Sequence, residues 1–465
     1  MTFGQLAAES AALATHLLDA GVGIGDRITM VVPNVAEALQ TIFAAARIGA
    51  TVVPINLRLR PDDIRFQAED AGVKYAVVHP MVEPLAQAAG ILDLPHWRTD
   101  DQLQTAVDTG RLDAASPPGD TTLVQLYTSG TTGRPKGCLL TQAGWEASTT
   151  STRAFLDLTA TDVVATALPL FHVAGIDLCL STLAAGGTAV LLNSAEPDAA
   201  WAAVTDHGAT IVQSIRGTGT FLRAAPADLN RLRGVFAPGG WSSLLDDHEE
   251  LALWTGYGAT ELCGFAVGNT REVLKDRPDT IGRPMPGYEW RVVDAAEKPV
   301  AAGEVGELLM RGPMVTPGYW NLPEASAEAL RGGWLHTGDL MEVQPDGVLR
   351  FVDRLKDMVK PGGENVYCIE VELALAEHPQ VKECAVIGVP DPKWGEAVKA
   401  VVATRDEVSA EELDAWCLEH LAAYKRPRWY TFVDALPRNA LEKVVKTELR
   451  AAHDEATSVR LPERT

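Results

Sequence analysis

The chain has 465 residues, too many for one ordinary hydrophobic core, so it reads as two or three domains. Its 46% apolar and 22% charged residues are those of a soluble globular protein. A net charge of −22 excludes a nucleic-acid or anionic-membrane partner, which would need a basic surface. In chain order, Phe3, Leu6, Ala7, Leu13, Ala14 and Leu17 recur at helical spacing. Residues 28–32 form a short apolar run closed by Pro33-Asn34 and read as a buried strand, 36–47 as a helix, and 51–55 and 74–78 as further strands. Strands alternating with helices indicate parallel sheets covered on both faces. The polar, Pro-containing stretch 113–120 marks a subdomain junction. The most apolar region, 163–192, is broken by Pro169, His172, Asp177 and Gly186-Gly187, so no run reaches membrane length.

A second boundary falls at Asp353-Arg-Leu-Lys356. Beyond it, 381–389, 398–404 and 429–433 read as strands and 441–453 as a helix, with a frayed tail after that. Ser409-Ala-Glu-Glu412 has the pattern of a capping box. The N-terminus lacks a basic start followed by an apolar core, so it is not a signal peptide. The six cysteines are scattered without a Cys-x-x-Cys, which fits reduced, mostly buried thiols in a cytoplasmic protein.

Tyr127-Thr-Ser-Gly-Thr-Thr-Gly-Arg-Pro-Lys-Gly137 follows the apolar run 123–126. Glycines let such a loop aim its N–H groups at one point, hydroxyls add donors, and Lys136 adds a cation, which suits a polyphosphate. It is not the P-loop of NTPases, because Lys136 follows Pro135 and precedes Gly137. A solvated Ser/Thr/Gly loop is the plainer alternative. Basic residues gather in the last quarter: Arg354, Lys356, Lys360, Lys425, Arg426, Arg428, Lys443 and Lys446. They are either a site for anionic ligands or an ordinary solvated face.

Further motifs stand in sequence: Pro169-Leu-Phe-His-Val-Ala-Gly175, Tyr257-Gly-Ala-Thr-Glu261, Thr337-Gly-Asp339, Asp353-Arg-Leu-Lys356, Gly362-Gly-Glu-Asn365 and Leu436-Pro-Arg with Lys443. With the loop, their order resembles the adenylate-forming superfamily of acyl-CoA synthetases, carrier-protein adenylation domains and firefly-type luciferases. The resemblance implies an α/β fold. A large N-terminal body, 1–353, would have parallel sheets covered by helices, and a small mobile α+β domain, 354–465, would turn on a hinge at Lys356. It implies an acyl-CoA synthetase that makes acyl-AMP from a carboxylic acid and ATP with Mg²⁺, then passes the acyl group to coenzyme A. By the same resemblance the chain starts late, without a leading segment.

The resemblance also assigns roles. Thr128, Ser129, Gly130, Thr131, Thr132, Gly133 and Lys136 would hold phosphates. Gly240, Trp241, Tyr257 and Gly258 would border adenine, Asp339 and Arg354 the ribose, and Glu261 would carry Mg²⁺. Thr260, His172 and Lys443 are the catalytic candidates; taken alone, Glu261 reads equally as a surface acid and His172 as a core residue. Lys443 would bridge the acid and the α-phosphate as charge develops there. The acyl pocket would comprise His172, Val173, Gly175, Arg216, Gly217, Trp241, Gly258, Cys263 and Gly264, and the CoA tunnel Lys360, Gly362, Gly363 and Glu364. The chain departs from the family pattern in three places. Trp241 stands where a small residue is usual, Glu442 replaces a glycine before Lys443, and the segment 213–219 lacks its proline. The alternatives are a ligase confined to thioester formation, an enzyme loading a carrier-protein thiol, and a nucleotide sensor; pyrophosphate release with and without CoA separates them. Neither the acid nor the oligomeric state is readable from the sequence.

Overall fold

The computed structural model describes residues 1–101, 112, 117–128, 135–213, 231–237, 249–439 and 443–461. The first sheet contains β1 (Arg27–Val31), β2 (Thr51–Pro54), β3 (Val73–Val78), β4 (His96–Arg98), β5 (Thr122–Thr128) and β6 (Lys136–Thr141), in the order β4-β3-β1-β2-β5-β6. All its pairs are parallel except β5–β6. The second sheet contains β7 (Val163–Thr166), β8 (Thr188–Leu191), β9 (Ile211–Gln213), β10 (Gly234–Phe236), β11 (Ala252–Ala259), β12 (Gly264–Thr270) and β13 (Arg283–Pro284). Its order is β13-β12-β11-β10-β9-β7-β8, parallel from β8 through β11 and antiparallel at β11–β12 and β12–β13. Both sheets therefore run parallel and then turn back on an antiparallel strand.

Helices α1 (Phe3–Asp19), α2 (Ala36–Ile48) and α3 (Pro61–Ala71) belong to the first part of the chain, and α4 (Gln142–Phe155), α5 (Val173–Ala184) and α6 (Pro197–His207) follow. The expected early strands and helices are all present to within about two residues, the ordinary uncertainty of an element end. Apolar runs such as Ile28-Thr-Met-Val31 fall on strands whose residues are almost fully buried, as strands covered on both faces should be. A capping box forms at Thr2–Gln5, where the Thr2 hydroxyl accepts the Gln5 N–H and the Gln5 side chain accepts the Thr2 N–H.

A four-stranded sheet follows, of β14 (Glu289–Val293), β15 (Val305–Arg311), β16 (Leu335–Val343) and β17 (Leu349–Arg354). The last sheet is mixed: β18 (Val381–Asp391) runs antiparallel to β19 (Gly395–Thr404), β19 parallel to β20 (Trp429–Phe432), and β20 antiparallel to β21 (Val459–Arg460). Side chains of β18 and β19 alternate between two cores. Val386, Val398, Ala400 and Val402 pack with α7 (Cys368–Ala376) and α8 (Ala410–His420), while Ala385, Ile387, Ala397 and Val401 pack with Leu436 and Leu449. Within this sheet Lys399 is 2% exposed. Its ammonium lies 3.0 Å from His453 Nδ1 and donates to Ser458 Oγ at 3.0 Å. Ser409 caps α8 by accepting the Glu412 N–H at 3.2 Å, the forward half of the expected box.

The expected helix over 441–453 is shorter. Lys443 N–H donates to Asn439 Oδ1 and Asn439 N–H to the Lys443 carbonyl, Arg438 and Val444 form an antiparallel bridge, and α9 begins only at Lys446 (Lys446–Ala451). The Val445 N–H and the Lys443 carbonyl, which a helix from 441 would pair within itself, are bonded instead to the Pro437 carbonyl and the Asn439 N–H. The chain divides into two compact units, one of Met1–Arg291, Leu309–His336 and Asp346–Leu349, the other of Val292–Leu308, Thr337–Pro345 and Arg350–Thr465. No described helix is long and apolar enough to cross a membrane. All six cysteines are free thiols, and five are buried.

Candidate functional site

In the first unit the two antiparallel turn-backs carry the candidate residues. Thr128 ends β5, Lys136 opens β6, and the two pair directly across the strands. Both residues thus stand at strand ends, where open α/β sheets offer room for ligands. Tyr127, the first residue of the glycine-rich motif, donates to Asp70 Oδ2 at 2.6 Å and accepts from Gln125 Nε2 at 3.1 Å, which fixes the strand. Lys136 Nζ lies 5.2 Å from the centre of the Tyr319 ring. The Tyr319 hydroxyl donates to Glu261 Oε1 at 2.9 Å. Cation, ring and carboxylate stand in a row and join the two sheets. Burial and the adjacent Glu261 push the Tyr319 phenol above its ordinary range, so it stays a donor.

Glu261 sits on the turn between β11 and β12, a single 3-10 turn over Thr260–Leu262. Gly258 is required there: a Cβ would lie 2.0 Å from the Gly264 carbonyl oxygen. The register slips between Tyr257 and Gly258, and such a bulge re-aims the side chains beside it. Cys263 closes the turn at φ 55°, a left-handed conformation rare for a residue with a side chain. Thr316 N–H donates to the Glu261 carbonyl at 2.9 Å, bringing the Thr316–Trp320 segment against the turn. Tyr257, Thr260 and Glu261 are partly exposed and Gly258 is exposed.

His172 caps α5, its Nδ1 accepting the Ala174 N–H at 3.3 Å. That bond places the ring proton on Nε2 when the imidazole is neutral, leaving Nε2 as the donor. Of the other expected acyl-pocket residues, Val173, Gly175, Cys263 and Gly264 are buried. Gly175 has the Pro169 carbonyl oxygen 2.3 Å from where a Cβ would stand. These four shape the region through backbone and packing; their side chains do not form an open wall. A separate crevice of ≈ 430 Å³, lined by Phe3, Phe43, Trp145 and Leu180 among others, holds none of the candidate residues.

In the second unit, Asp339 is 8% exposed and its carboxylate lies 3.6 Å from Arg354 Nε. The turn that presents it is tied down by Thr337 Oγ1 donating to the Leu308 carbonyl and Gly338 N–H donating to Glu307 Oε1. Lys443 is solvent-accessible. Desolvation by the surrounding chain and the Arg354 guanidinium hold its ammonium below the ordinary lysine value, and Asp339 opposes them. Lys356 lies in an exposed turn just after β17, likewise lowered by desolvation and Arg354. The Lys360 N–H donates to Glu396 Oε2 at 2.9 Å; Gly362 has φ 63° and donates to the Trp394 carbonyl. Trp394, 39% exposed, covers Gly362 so closely that a Cβ would meet the indole at 2.7 Å. Gly363 and Glu364 complete this loop.

Four of the eight late basic residues, Lys425, Arg426, Arg428 and Lys446, are buried or half-buried. Arg426, 2% exposed, pairs with buried Asp414; Lys425 reaches Glu370 Oε2 at 2.7 Å; and Lys446 reaches Glu372 at 2.8 Å. Lys446 is therefore a half-buried partner and not the helix-surface charge its spacing from Lys443 suggests. Ser129, Gly130, Thr131, Thr132, Gly133, Arg216, Gly217, Gly240, Trp241 and Glu442 lie outside the described residues. The sequence reading missed Tyr319 and Trp394. A Pro-Gly pair ahead of Tyr319, and a Trp set between Lys393 and Gly395, were the available signals.

Known proteins resemble this chain over nearly its whole length. The family described as AMP-binding enzyme matches residues 1–320, and its C-terminal domain matches residues 370–443. A feruloyl-CoA synthase from Amycolatopsis sp is 38% identical, over 97% of this chain and 93% of its own length. The long-chain-fatty-acid–CoA ligase FadD13 of Mycobacterium tuberculosis is 32% identical, over 97% and 92%. The structure of o-succinylbenzoate coenzyme A synthetase (MenE) from Bacillus subtilis with ATP and a magnesium ion superposes with a TM-score of 0.85 at 29% identity, covering 97% of this chain and 94% of that one.

Proposed function

Because the chain belongs to the AMP-binding enzyme family, we propose that the residues gathered above serve the two half-reactions of an AMP-forming acyl-CoA synthetase. The enzyme is an acid–thiol ligase. In the first half a carboxylate oxygen attacks the α-phosphorus of ATP and pyrophosphate leaves, giving acyl-AMP. In the second the CoA thiolate attacks the acyl carbon and AMP leaves.

The row Lys136–Tyr319–Glu261 carries this reading. It sets a cation and a carboxylate on either side of one ring, at the turn-backs of both parallel sheets. Glu261 fits Mg²⁺: a hard cation takes carboxylate oxygen, and Tyr319 occupies Oε1 and leaves Oε2. The bound ion would neutralise phosphate charge. Thr128 and Lys136 hold the β- and γ-phosphates, Tyr257 packs on adenine, and Thr260 contacts phosphate. Asp339 accepts from the ribose hydroxyls, with Arg354 alongside. His172 orients the acid through Nε2, and Lys443 stabilises charge on the α-phosphate oxygens as they develop it. Lys360, Gly362 and the Trp394 ring border the pantetheine path, and Lys356 is where we place the change in backbone angles between the halves.

Coenzyme A is the proposed acceptor in preference to a carrier-protein thiol, and the six unbridged cysteines support a cytoplasmic location. The 38% identity to a feruloyl-CoA synthase makes hydroxycinnamic acids the first acids to assay. Pyrophosphate release and acyl-CoA formation should be followed with ferulate, a medium-chain fatty acid and 2-succinylbenzoate. Acyl-CoA formation that requires both ATP and CoA supports the reading. Pyrophosphate release without any thioester would move the acceptor to another thiol, and no release with any acid would overturn the adenylation half.

A further inference from the structure

A buried carboxyl lies where three elements of the site meet, and none of the roles above uses it. Asp177 stands just past the first turn of α5 and is 0% exposed. Its Oδ2 accepts the Thr152 hydroxyl at 2.7 Å, and its Oδ1 lies 3.0 Å from Ser148 Oγ and 3.4 Å from Ser181 Oγ. The Phe265 N–H also bonds to the carboxyl. Ser148 and Thr152 belong to α4, which follows the strand opened by Lys136; α5 is the helix capped by His172.

Ser148 Oγ lies 2.8 Å from the carbonyl oxygen of Cys263, the residue that ends the Thr260–Leu262 turn. A serine hydroxyl has a single proton, so Ser148 cannot donate to Asp177 and to Cys263 together. Two arrangements satisfy the chemistry. With Asp177 protonated, its O–H donates to Ser148 Oγ and Ser148 donates to the Cys263 carbonyl. With Asp177 ionised, it draws the Ser148 proton, and the buried Cys263 carbonyl loses this bond. Gly264, next in the chain, has Asp177 Oδ2 only 2.7 Å from where a Cβ would stand, so the carboxyl abuts the turn directly.

We infer that Asp177 is a positioning residue that sets the Thr260–Glu261 turn through Ser148 and the Cys263 carbonyl. The inference rests on the reading of Glu261 as the Mg²⁺ carboxylate. Burial raises the Asp177 carboxyl to about 6, above its ordinary value. The neutral arrangement is therefore kept below about pH 6 and given up as pH rises through that value. The titratable groups facing Asp177 are Cys179 on α5, Cys263 on the turn, and Tyr288, all pushed upward by burial and uncharged in that range. From α4 it meets hydroxyls; Arg153 of that helix is bonded instead to the Ala184 carbonyl.

The test compares Asp177→Asn and Ser148→Ala with the native enzyme, as ratios of KM for MgATP from pH 5.5 to 8, so that titration of ATP itself cancels. Asn is a fixed mimic of the neutral acid: its amide donates to Ser148 at every pH. Its ratio should be near one at pH 5.5 and fall to about one-fifth at pH 8, the scale of one net hydrogen bond. Ser148→Ala leaves the Cys263 carbonyl bare at every pH, so its ratio should be about five at pH 5.5 and approach one at pH 8. Both ratios should thus fall about fivefold from pH 5.5 to 8 while lying on opposite sides of one, whereas a purely structural role would change each by a factor independent of pH. Ratios independent of pH would overturn the inference, and the Asp177→Asn ratio alone decides if Ser148→Ala does not fold. Glu261→Gln is measured alongside: an unchanged Mg²⁺ requirement there would refute the metal assignment separately, whatever the Asp177 ratios show.

Discussion

The two units hold their candidate residues by different physics. In the first, close approach does the work: Gly258 against the Gly264 backbone and Gly175 against the Pro169 backbone leave no space for a methyl group. In the second, charges do it: Asp339 with Arg354, Glu372 with Lys446, and Asp357 with Arg450. Steric contacts are short-ranged and specify one arrangement. Ion pairs act over longer distances and can be exchanged for other partners without repacking a core. The contrast suits the roles proposed above, one nucleotide geometry for the first unit and different groups in successive half-reactions for the second.

The sharpest break in this comparison is at Lys443. Lys443→Ala should slow acyl-AMP formation by about a hundredfold or more, the scale of one lost charge-stabilising donor, while thioester formation from supplied acyl-AMP continues. Single-turnover measurements of each half check this, and equal loss in both would remove Lys443 from the chemistry. Gly258→Ala probes the steric side. A Cβ 2.0 Å from a carbonyl oxygen cannot be accommodated in place, so nucleotide affinity should drop by about tenfold with about 1–3 kcal/mol of stability lost. Isothermal titration with AMP and denaturant unfolding read the two effects.

Lys446→Met tests the electrostatic side. Burial, with Asp353 adding to it, holds the Glu372 carboxyl above its ordinary value despite Lys446; for Lys446, desolvation is outweighed by Glu372, Cys368 and Asp357 together, which raise its ammonium. Removing the lysine strands a mostly buried carboxylate and should cost about 1–3 kcal/mol of stability. Glu372→Leu in the same chain should recover part of the loss, which a double-mutant cycle of unfolding midpoints measures. The mildest change is Tyr319→Phe, which keeps the ring beside Lys136 and deletes the donor to Glu261. The Mg²⁺ concentration for half-maximal rate should shift by about two- to fivefold, the worth of one hydrogen bond to a charged group. No shift would mean that Tyr319 only packs.

Much of the first unit is legible in the sequence because its strands are short Val/Ile-rich runs bounded by Pro and Gly, as in 28–32 and 51–55. The turn at Thr337-Gly-Asp339 is equally plain, since Gly338 takes φ 69°. The region around Lys443 is harder. Leu441 to His453 has helical spacing, yet the Val445 N–H goes to the Pro437 carbonyl and the Lys443 carbonyl to the Asn439 N–H, and the helix starts only at Lys446. That delay changes which way Lys446 faces, and so its role. Tyr319 is hidden for another reason: its partners Lys136 and Glu261 are far away in sequence, and no local pattern encodes such a contact. Asp177 shows in sequence only as an acid inside an apolar run; that it meets three hydroxyls is a tertiary fact.

The Lys399 clip has a consequence for how the protein is made. Lys399 lies in the interior of its sheet, but the serine it donates to, Ser458, comes 59 positions later, just before β21. During synthesis β18 and β19 leave the ribosome with that ammonium unmatched, and an isolated buried ammonium is strongly disfavoured. The sheet bearing Lys360 and Gly362 at its edge therefore cannot settle until the chain through Arg460 has emerged. A nascent chain would then settle its first unit early, while Lys443, Lys360 and Gly362 all wait on residues translated last, so on the roles proposed above neither half-reaction could begin before the chain is nearly complete.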